Sequence, residues 1–261
     1  MDPLFNNDDI KTFDDVLRVL GKIIEWSIST RSRVGFFAAI YKNVTQRIKA
    51  AAENGEFLDR ARIELLDVSF ARRYFSALDD YQQQLNTTTA WAYALKRTKL
   101  RFTIILQQLL LCMNPHINID LAMATEGITS RDNLLYIYPD FLKVNQILAS
   151  ALLQIEREIF ELSPVLSLAS KFGMKTENQF FNFSLSVARS ESWCLACQLK
   201  IADEGQKKNL TDKANQASIS LGKKILSPGL LGTIAFFIIG IFEFKSIRTI
   251  IRVLDSKIGL T

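Results

Sequence analysis

The residues of this sequence best placed for chemistry are its one histidine, His116, and Asp120, which follows four positions later. A long apolar run ends just before them, at Asn114 and Pro115. If Pro115 opens a helix that Asn114 caps, His116 and Asp120 lie one turn apart on the same face. A carboxylate that holds an imidazole is a common way to orient a proton-transfer group. The spacing therefore predicts acid–base chemistry, with His116 as the proton acceptor or donor and Asp120 as its orienting partner.

A structural role for His116 is the alternative, because a lone histidine is more often a hydrogen-bonded core residue than a catalytic one. His116, Asn118 and Asp120 alternate with apolar residues. Polar side chains spaced so closely are costly in an apolar core unless they bond one another, water or a ligand. Asn118 lies off the face of His116, so we expect it to hydrogen-bond a neighbouring helix. It is also a candidate substrate contact.

Further candidate site residues lie on other helical patterns. Asp67 stands between apolar residues and is predicted to point inward, either as a third catalytic group or in a structural ion pair with an arginine. The candidates for that pair are Arg72, Arg73 and Arg189. Arg189 is predicted to hold an anionic group of a substrate with its planar guanidinium, or else to neutralise Asp67 or Asp120. Two aromatic residues complete the predicted substrate contacts: Tyr74 and Trp193.

No metal and no cofactor are predicted. Cys194 and Cys197 have the CxxC spacing of zinc and redox motifs. A zinc site needs more Cys or His ligands than the rest of the chain supplies, so two small residues on a core helix are the favoured interpretation. The sequence also lacks a glycine-rich phosphate loop and the nucleophile elbow of hydrolases. The pattern favours a cofactor-free reaction such as an isomerisation or a cyclisation.

Composition and charge limit the class of protein. The 261 residues are 48% hydrophobic and 23% charged, which is typical of a packed chain and argues against disorder. Residues 206–261 hold 9 basic and 3 acidic residues, so they account for the net charge of +5. No alternation of aromatic and basic residues accompanies that charge, and nucleic acid is not an expected partner. The first residues are acidic and lack the layout of a signal peptide, so we expect a cytoplasmic protein.

Helical periodicity runs along most of the chain and predicts an all-α fold. Thr12 and Asp15 fit a capping box at the start of the first helix. The uncharged run that ends at Met113 predicts a long core helix from Trp91 to Met113. The predicted organisation is one multi-helix domain over residues 1–225, followed by an apolar, basic helical segment over residues 226–261.

This C-terminal segment differs in character from the rest of the chain. From Ile225 to Phe242 there are 18 uncharged residues, which is at the lower limit for a membrane span. Basic residues flank the run on both sides: Lys223, Lys224, Lys245, Arg248 and Arg252. The arrangement predicts either a hairpin that lies on an anionic membrane surface through residues 223–254, at the inner face of the membrane, or a buried core helix followed by an amphipathic one.

A set of motifs extends from about Phe36 to Ile225. The most specific is Met113-Asn114-x-His116-Ile117-Asn118-x-Asp120-Leu121, and the others include Leu66-Asp67-Val68-x-Phe70-Ala71-x-x-Tyr74, Ala90-Trp91 and Arg189-x-x-x-Trp193. Together they resemble a largely bacterial family classed as domain of unknown function 5995. The resemblance implies an α-helical domain and carries over no activity. This chain departs from the family pattern at Pro115, where a small residue such as alanine is usual, and its C-terminal segment looks like an addition.

Two functions from different classes are open on this evidence. The first is a cofactor-independent acid–base enzyme, isomerase-like or cyclase-like, that acts on a small, largely apolar substrate. The second is a non-enzymatic protein that binds a lipid or another hydrophobic ligand at the membrane. In the first, the polar cluster around His116 is the active site; in the second, that cluster is structural and the C-terminal segment carries the function.

Overall fold

Helices form the fold throughout the part of the chain that the computed structural model describes, namely residues 6–85, 87–100, 103–165, 178–227, 229–243 and 246–256. No strand occurs among these residues, and the predicted all-α single domain is confirmed. Short 3-10 helices lie at Asn7–Asp9 and Leu134–Ile137. The longer helices are α1 (Phe13–Thr30), α2 (Val34–Glu53), α3 (Arg60–Gln82), α4 (Thr89–Thr98), α5 (Ile105–Pro115), α6 (Leu121–Ile128), α7 (Tyr138–Leu162), α8 (Asn178–Ile201), α9 (Glu204–Leu226), α10 (Leu230–Phe242) and α11 (Ile247–Ser256).

The start of α1 follows the local signal in the sequence. The backbone N–H of Asp15 donates to the side-chain oxygen of Thr12 over 3.2 Å, and the Asp15 carboxylate accepts the N–H of Thr12 over 3.1 Å. This reciprocal capping box satisfies N–H groups that the first turn of a helix leaves unpaired. The predicted capping box is therefore confirmed. The helix then packs its apolar face against α2.

The single long helix predicted from Trp91 to Met113 is wrong, because α4 and α5 are separate there. Gln107 helps to start α5 by accepting the N–H of Ile104 at its Oε1 atom over 3.2 Å. The buried carboxylate of Glu243 accepts the N–H of Ile105 over 2.9 Å and caps the same helix end. Glu243 is distant in sequence, so periodicity within the apolar run could not reveal this cap.

The helix break predicted at Asn114 and Pro115 is also wrong. The chain stays helical through Pro115, passes through one π-helical turn at His116–Asp120 and continues as α6. The N–H of Leu121 donates to the carbonyl of His116, five residues back, as the wider turn requires. Proline lacks the N–H of an ordinary helical residue and disturbs the regular ladder, which accounts for a wider turn beside it. Asn114 is not a cap; its side-chain amide donates to the carbonyl of Ser218 over 2.6 Å.

The two C-terminal helices pack into the same core as α1 and α2. Ile250, Ile251 and Leu254 of α11 are buried in that core, and α11 contacts α1, α2 and α7. Ile239 of α10 is buried in it as well. Among the residues that the model describes, no helix is both long and apolar enough to cross a membrane.

The close approach of α11 to α2 can be tested at Gly35. A Cβ atom on Gly35 would lie 2.6 Å from Cδ1 of Ile251 and 2.6 Å from Cβ of Ser27. We expect Gly35→Ala to lower the free energy of unfolding by about 1–3 kcal/mol, because extra volume in a packed core forces neighbours apart. The measurement is urea denaturation of the full chain.

Gly21 supplies the matched control. It lies inside α1, and a Cβ atom there would meet nothing within 4 Å. Gly21→Ala should therefore raise the free energy of unfolding by about 0.5–1 kcal/mol, the usual gain of alanine over glycine within a helix. Equal effects of the two substitutions would contradict the packing of α11 on α2.

Candidate functional site

His116 and Asp120 form a buried hydrogen-bonded pair within the π-helical turn. Nδ1 of His116 lies 3.1 Å from Oδ2 of Asp120, and both residues are almost fully buried. Trp91 donates its Nε1–H to the same oxygen of Asp120 over 2.8 Å. The Nε atom of Arg73 lies 3.6 Å from the other carboxylate oxygen. Because a carboxylate surrounded by donors can only accept, Nδ1 of His116 carries the proton and Nε2 keeps its lone pair.

Burial determines the charge state of His116. Removal from water lowers the pKa of His116 below its usual value, and the charge of Arg73 lowers it further. The hydrogen bond that Asp120 accepts and the charge of Asp120 both raise the pKa of His116, but they do not reverse the downward shift. The imidazole is therefore neutral at neutral pH. Its Nε2 atom is buried and has no hydrogen-bond partner among the described residues.

Aromatic side chains from two helices, α2 and α3, hold the imidazole ring. Phe70 stacks on it with ring centroids 3.6 Å apart and planes within 9°. Phe37 and Tyr41 present ring edges at 5.5 Å and 4.8 Å. Phe37 and Tyr41 are one turn apart on α2, and Phe70 is followed one turn later by Tyr74 on α3, so each helix contributes a pair of rings from one face. The orientation of His116 is thus fixed by packing as well as by Asp120.

His116 lines a cavity of about 90 Å³ that is enclosed mostly by aliphatic side chains. For comparison, an apolar cavity of about 150 Å³ can hold a benzene molecule, so this cavity accommodates a small group of atoms. Its polar lining comes from four residues: Tyr41, Asp67, His116 and Arg189. The aliphatic lining comes from α2, α3, α5, α7 and α8 and includes Ile40, Val44, Ile48, Leu109, Val144 and Leu148.

Asp67 lines this cavity. It does not form the ion pair with an arginine that was one of the two predictions for it. Its Oδ2 atom is buried and has no hydrogen-bond partner among the described residues. Burial raises the pKa of Asp67 to about 7, and the charge of Glu64 adds to the shift. The three arginines proposed as partners bind elsewhere: Arg72 to the carbonyl of Ile10, Arg73 beside Asp120, and Arg189 to α7. The predicted structural salt bridge of Asp67 is therefore wrong.

Arg189 is a buried cation on the cavity wall with neutral partners. Its Nε donates to the side-chain oxygen of Asn145, and its Nη2 donates to the carbonyl of Phe141 over 3.2 Å. The guanidinium carbon lies 4.5 Å from the centroid of the Phe141 ring. No carboxylate pairs with it in the described part of the chain, and burial lowers the pKa of Arg189 to about 9. The prediction that Arg189 neutralises Asp67 or Asp120 is wrong.

The other predicted substrate contacts lie outside the cavity lining. Asn118 donates to the carbonyl and the side-chain oxygen of Asn114, each over 3.0 Å, so its predicted bond to a neighbouring helix is wrong. Trp193 is half-buried against the rings of Tyr138 and Phe141. Tyr74 is fully buried behind the aromatic rings that surround His116.

Tyr41 is a cavity residue that the sequence reasoning missed. Its hydroxyl is buried without a hydrogen-bond partner in the described residues, and burial raises its pKa, as do the charges of Asp67 and Asp120. The signal that could have found it was its position one helical turn after Phe37.

Possible metal ligands do not cluster in the described part of the chain, where no group of three or more His, Cys, Asp or Glu residues forms a metal site. Cys194 is exposed and Cys197 is half-buried, so the two cysteines lie on a helix that buries Ala196 and Leu199 but are not themselves in the core. Helical periodicity left the orientation of α8 open at these positions. Cys112 is buried, and burial raises the pKa of its thiol to about 12.

Fold and site together define an all-α protein with an oriented, neutral imidazole beside an apolar cavity. The chain matches a family of unknown function, DUF5995, over residues 13–228, and it belongs to that family. The matched residues end just before α10, where the apolar C-terminal segment begins. No curated protein and no solved structure matches the chain.

The raised pKa of Asp67 predicts how stability depends on pH. Its pKa is about 7 in the folded chain and near its ordinary value of 3.8 when unfolded, so the folded state binds the extra proton. The stabilisation from that protonation is complete below about pH 4 and is lost as the pH rises to about 7. Asp67→Asn, which stays neutral, should become more stable relative to the wild type over this range, by up to about 4 kcal/mol.

Urea denaturation at pH 4 and at pH 8 measures this difference. Asp9→Asn is the control, because Asp9 is exposed and has no ion pair in the described part of the chain. Parallel pH dependence in Asp67→Asn and the wild type would show that Asp67 titrates normally.

NMR spectroscopy can measure the tautomer of His116 directly, because the single histidine gives a single set of imidazole signals. In ¹⁵N-histidine-labelled protein we expect a neutral ring at pH 7 with the proton on Nδ1, and titration below the usual range near pH 6.5. Asp120→Asn should lower the pKa of His116 further, since it removes the carboxylate that favours the charged ring. A charged ring at pH 7, or a proton on Nε2 in the wild type, would contradict the described geometry.

Proposed function

We propose that this protein is a cofactor-independent acid–base enzyme that isomerises or cyclises a small, largely apolar substrate. The observation that carries the proposal is the unpartnered Nε2 atom of neutral His116 at the wall of an apolar cavity. Rearrangements of this kind need proton transfer and a site without bulk water, and they occur in biosynthetic pathways. We expect the enzyme to act in the cytoplasm.

His116 is the proposed general base. Its Nε2 atom accepts a proton from a carbon of the substrate, and the imidazolium that results is stabilised by Asp120 across the Nδ1 hydrogen bond. Trp91 and Arg73 keep the Asp120 carboxylate in place. Asp120 acts as a positioning residue, because it reaches the reacting atoms through the imidazole.

Asp67 is the proposed general acid. With a pKa of about 7, its protonated form is available near neutral pH, whereas an ordinary aspartate is ionised there. Removal of a proton by His116 and delivery of a proton by Asp67 at a second carbon together move a double bond without net change in charge. Passage of the proton from the imidazolium back to Asp67 resets the site for the next turnover.

Arg189 is the proposed anchor for an anionic group on the substrate. A buried guanidinium is costly without an anion, and Arg189 has only neutral partners in the described part of the chain. A carboxylate on the substrate would supply the missing charge. Trp193 packs on Phe141, whose ring faces Arg189, and Tyr74 contacts the ring of His116. In this proposal both act from behind the cavity lining, whereas Asn118 is bonded to Asn114 and has no direct role.

Short β,γ-unsaturated carboxylates combine these features and serve as probes. But-3-enoate, the smallest of them, should isomerise to the conjugated acid, seen by ultraviolet absorbance, and should take up deuterium from D₂O. His116→Gln should slow both by at least about 100-fold, the usual contribution of a general base. Asp67→Asn should also slow isomerisation, but it should slow deuterium uptake, which reports proton removal, to a smaller extent.

A variant outside the cavity serves as the control. Asn133 lies in the turn before Leu134–Ile137, and Asn133→Ala should leave the isomerisation rate unchanged. Equal rates in the wild type and His116→Gln, with both chains folded, would remove His116 from the reaction.

Binding of a lipid or another hydrophobic ligand without catalysis is the second candidate function. The observation that favours it is the exposed apolar face of α10. In this second proposal the protein lies at the inner face of a membrane. In that case His116→Gln would leave ligand binding intact and no probe would turn over.

A further inference from the structure

The outward face of α10 exposes a continuous row of large apolar side chains. The exposed fractions range from 46% for Ile238 to 79% for Leu230. The helix contains no charged residue over its 13 positions. At about 100° per residue the exposed side chains fall within an arc of about 140°. They form what we term the α10 outer face: Leu230, Ile234, Phe237, Ile238, Ile241 and Phe242.

Contacts on either side of α10, at the end of α9 and just after α10 itself, hold this face outward. Gln107, in the first turn of α5, donates its side-chain amide to the carbonyls of Ile225 and Leu226 over 2.9 Å and 3.3 Å. Glu243, just after α10, accepts the N–H of Ile105 in the same turn of α5. Between these two anchors, Ile239 is buried in the core. A rotation of α10 that turned its outer face inward would break the cap from Glu243 and the buried contact of Ile239.

Exposed cations flank the α10 outer face in the sequence on both sides. Lys223 and Lys224 end α9, and Arg248 and Arg252 lie on α11; all four are exposed, and in the described residues none forms an ion pair. The one acidic residue between positions 223 and 254 is Glu243, which is buried. An apolar face with unpaired cations beside it complements a surface of acyl chains and anionic headgroups.

We propose that the α10 outer face docks the protein onto an anionic lipid surface, with the helix lying in the plane of the interface. A helix of 13 residues is about 20 Å long, which is shorter than the hydrocarbon thickness of about 30 Å, so α10 lies at the surface and does not cross it. Lys223 and Lys224 reach the headgroups while the outer face enters the boundary of the acyl chains.

A second copy of the chain fits this face less well. In a two-fold symmetric dimer the same surface is used on both copies, so the flanking cations of one copy approach those of the other. No exposed carboxylate between positions 223 and 254 could pair with them. The same charges that oppose a dimer favour an anionic lipid surface.

The experiment is co-sedimentation of the full chain with vesicles of phosphatidylcholine, alone or mixed with phosphatidylglycerol. Truncation is unsuitable, because Ile250, Ile251 and Leu254 belong to the core. The first variant, I234Q/I238Q/I241Q, replaces three residues of the outer face. The second, K223Q/K224Q, removes two cations. The control, K208Q/K213Q, removes the same charge from exposed positions earlier on α9.

We expect the wild type to bind the mixed vesicles and I234Q/I238Q/I241Q to lose binding by about tenfold or more. K223Q/K224Q should lose most of the preference for phosphatidylglycerol, also by about tenfold, and added salt should reduce that preference in the wild type. K208Q/K213Q should bind like the wild type.

Two outcomes would overturn the proposal. One is absence of wild-type binding to the mixed vesicles, or equal binding by the wild type and I234Q/I238Q/I241Q. The other is a wild-type dimer in vesicle-free solution that the same three substitutions convert to a monomer, since the occupant of the face would then be a second copy. Size-exclusion chromatography with light scattering measures the second outcome, and denaturation curves establish that each variant is folded.

Discussion

The hydrogen bond between His116 and Asp120 is the interaction on which the site depends. It assigns the proton to Nδ1, leaves the lone pair on Nε2 and offsets part of the effect of burial on the imidazole. Asp120 can serve in this way because Trp91 fixes the position of its Oδ2 atom. The π-helical turn brings both residues into the core in one continuous helix. Without this pairing the buried ring would have no defined tautomer and no defined acceptor.

The polar atoms around the cavity lower the stability of the fold when they have no hydrogen-bond partner. A buried polar group without a partner costs about 1–3 kcal/mol, and the cavity contains such atoms on Tyr41, Asp67 and His116. Unpaired buried hydroxyls also occur elsewhere, for example on Ser27 and Thr45. Those hydroxyls do not titrate near neutral pH, whereas Asp67 does, and the neutral imidazole of His116 has a lone pair that can accept a proton. The cavity thus combines the cost of unpaired groups with the capacity to move protons.

Sequence patterns predicted the helical class and the pairing of His116 with Asp120, because both depend on spacing within one helix. They failed where a tertiary contact decides the outcome. The separation of α4 from α5 depends on the cap from Glu243, and the continuous helix at Pro115 depends on a wider turn. The absence of an ion pair at Asp67 in the described residues could not be predicted either, since the three arginines proposed as its partners bind other groups in the fold. Periodicity specifies which face of a helix is apolar, not which helix covers it.

One helix connects the cavity to the proposed lipid-binding face. The first turn of α5 binds the end of α9 through Gln107 and the residue after α10, Glu243. The last residue of α5 leads directly into the turn that holds His116. The two ends of α5 are about 16 Å apart, so the cavity and the α10 outer face are separate sites. Glu243 must remain buried for α5 to start where it does, and α10 must therefore stay against the core when its outer face meets lipid. Docking as a rigid face is consistent with a preserved cavity, whereas insertion of α10 as a membrane span would remove the cap of the helix that positions His116.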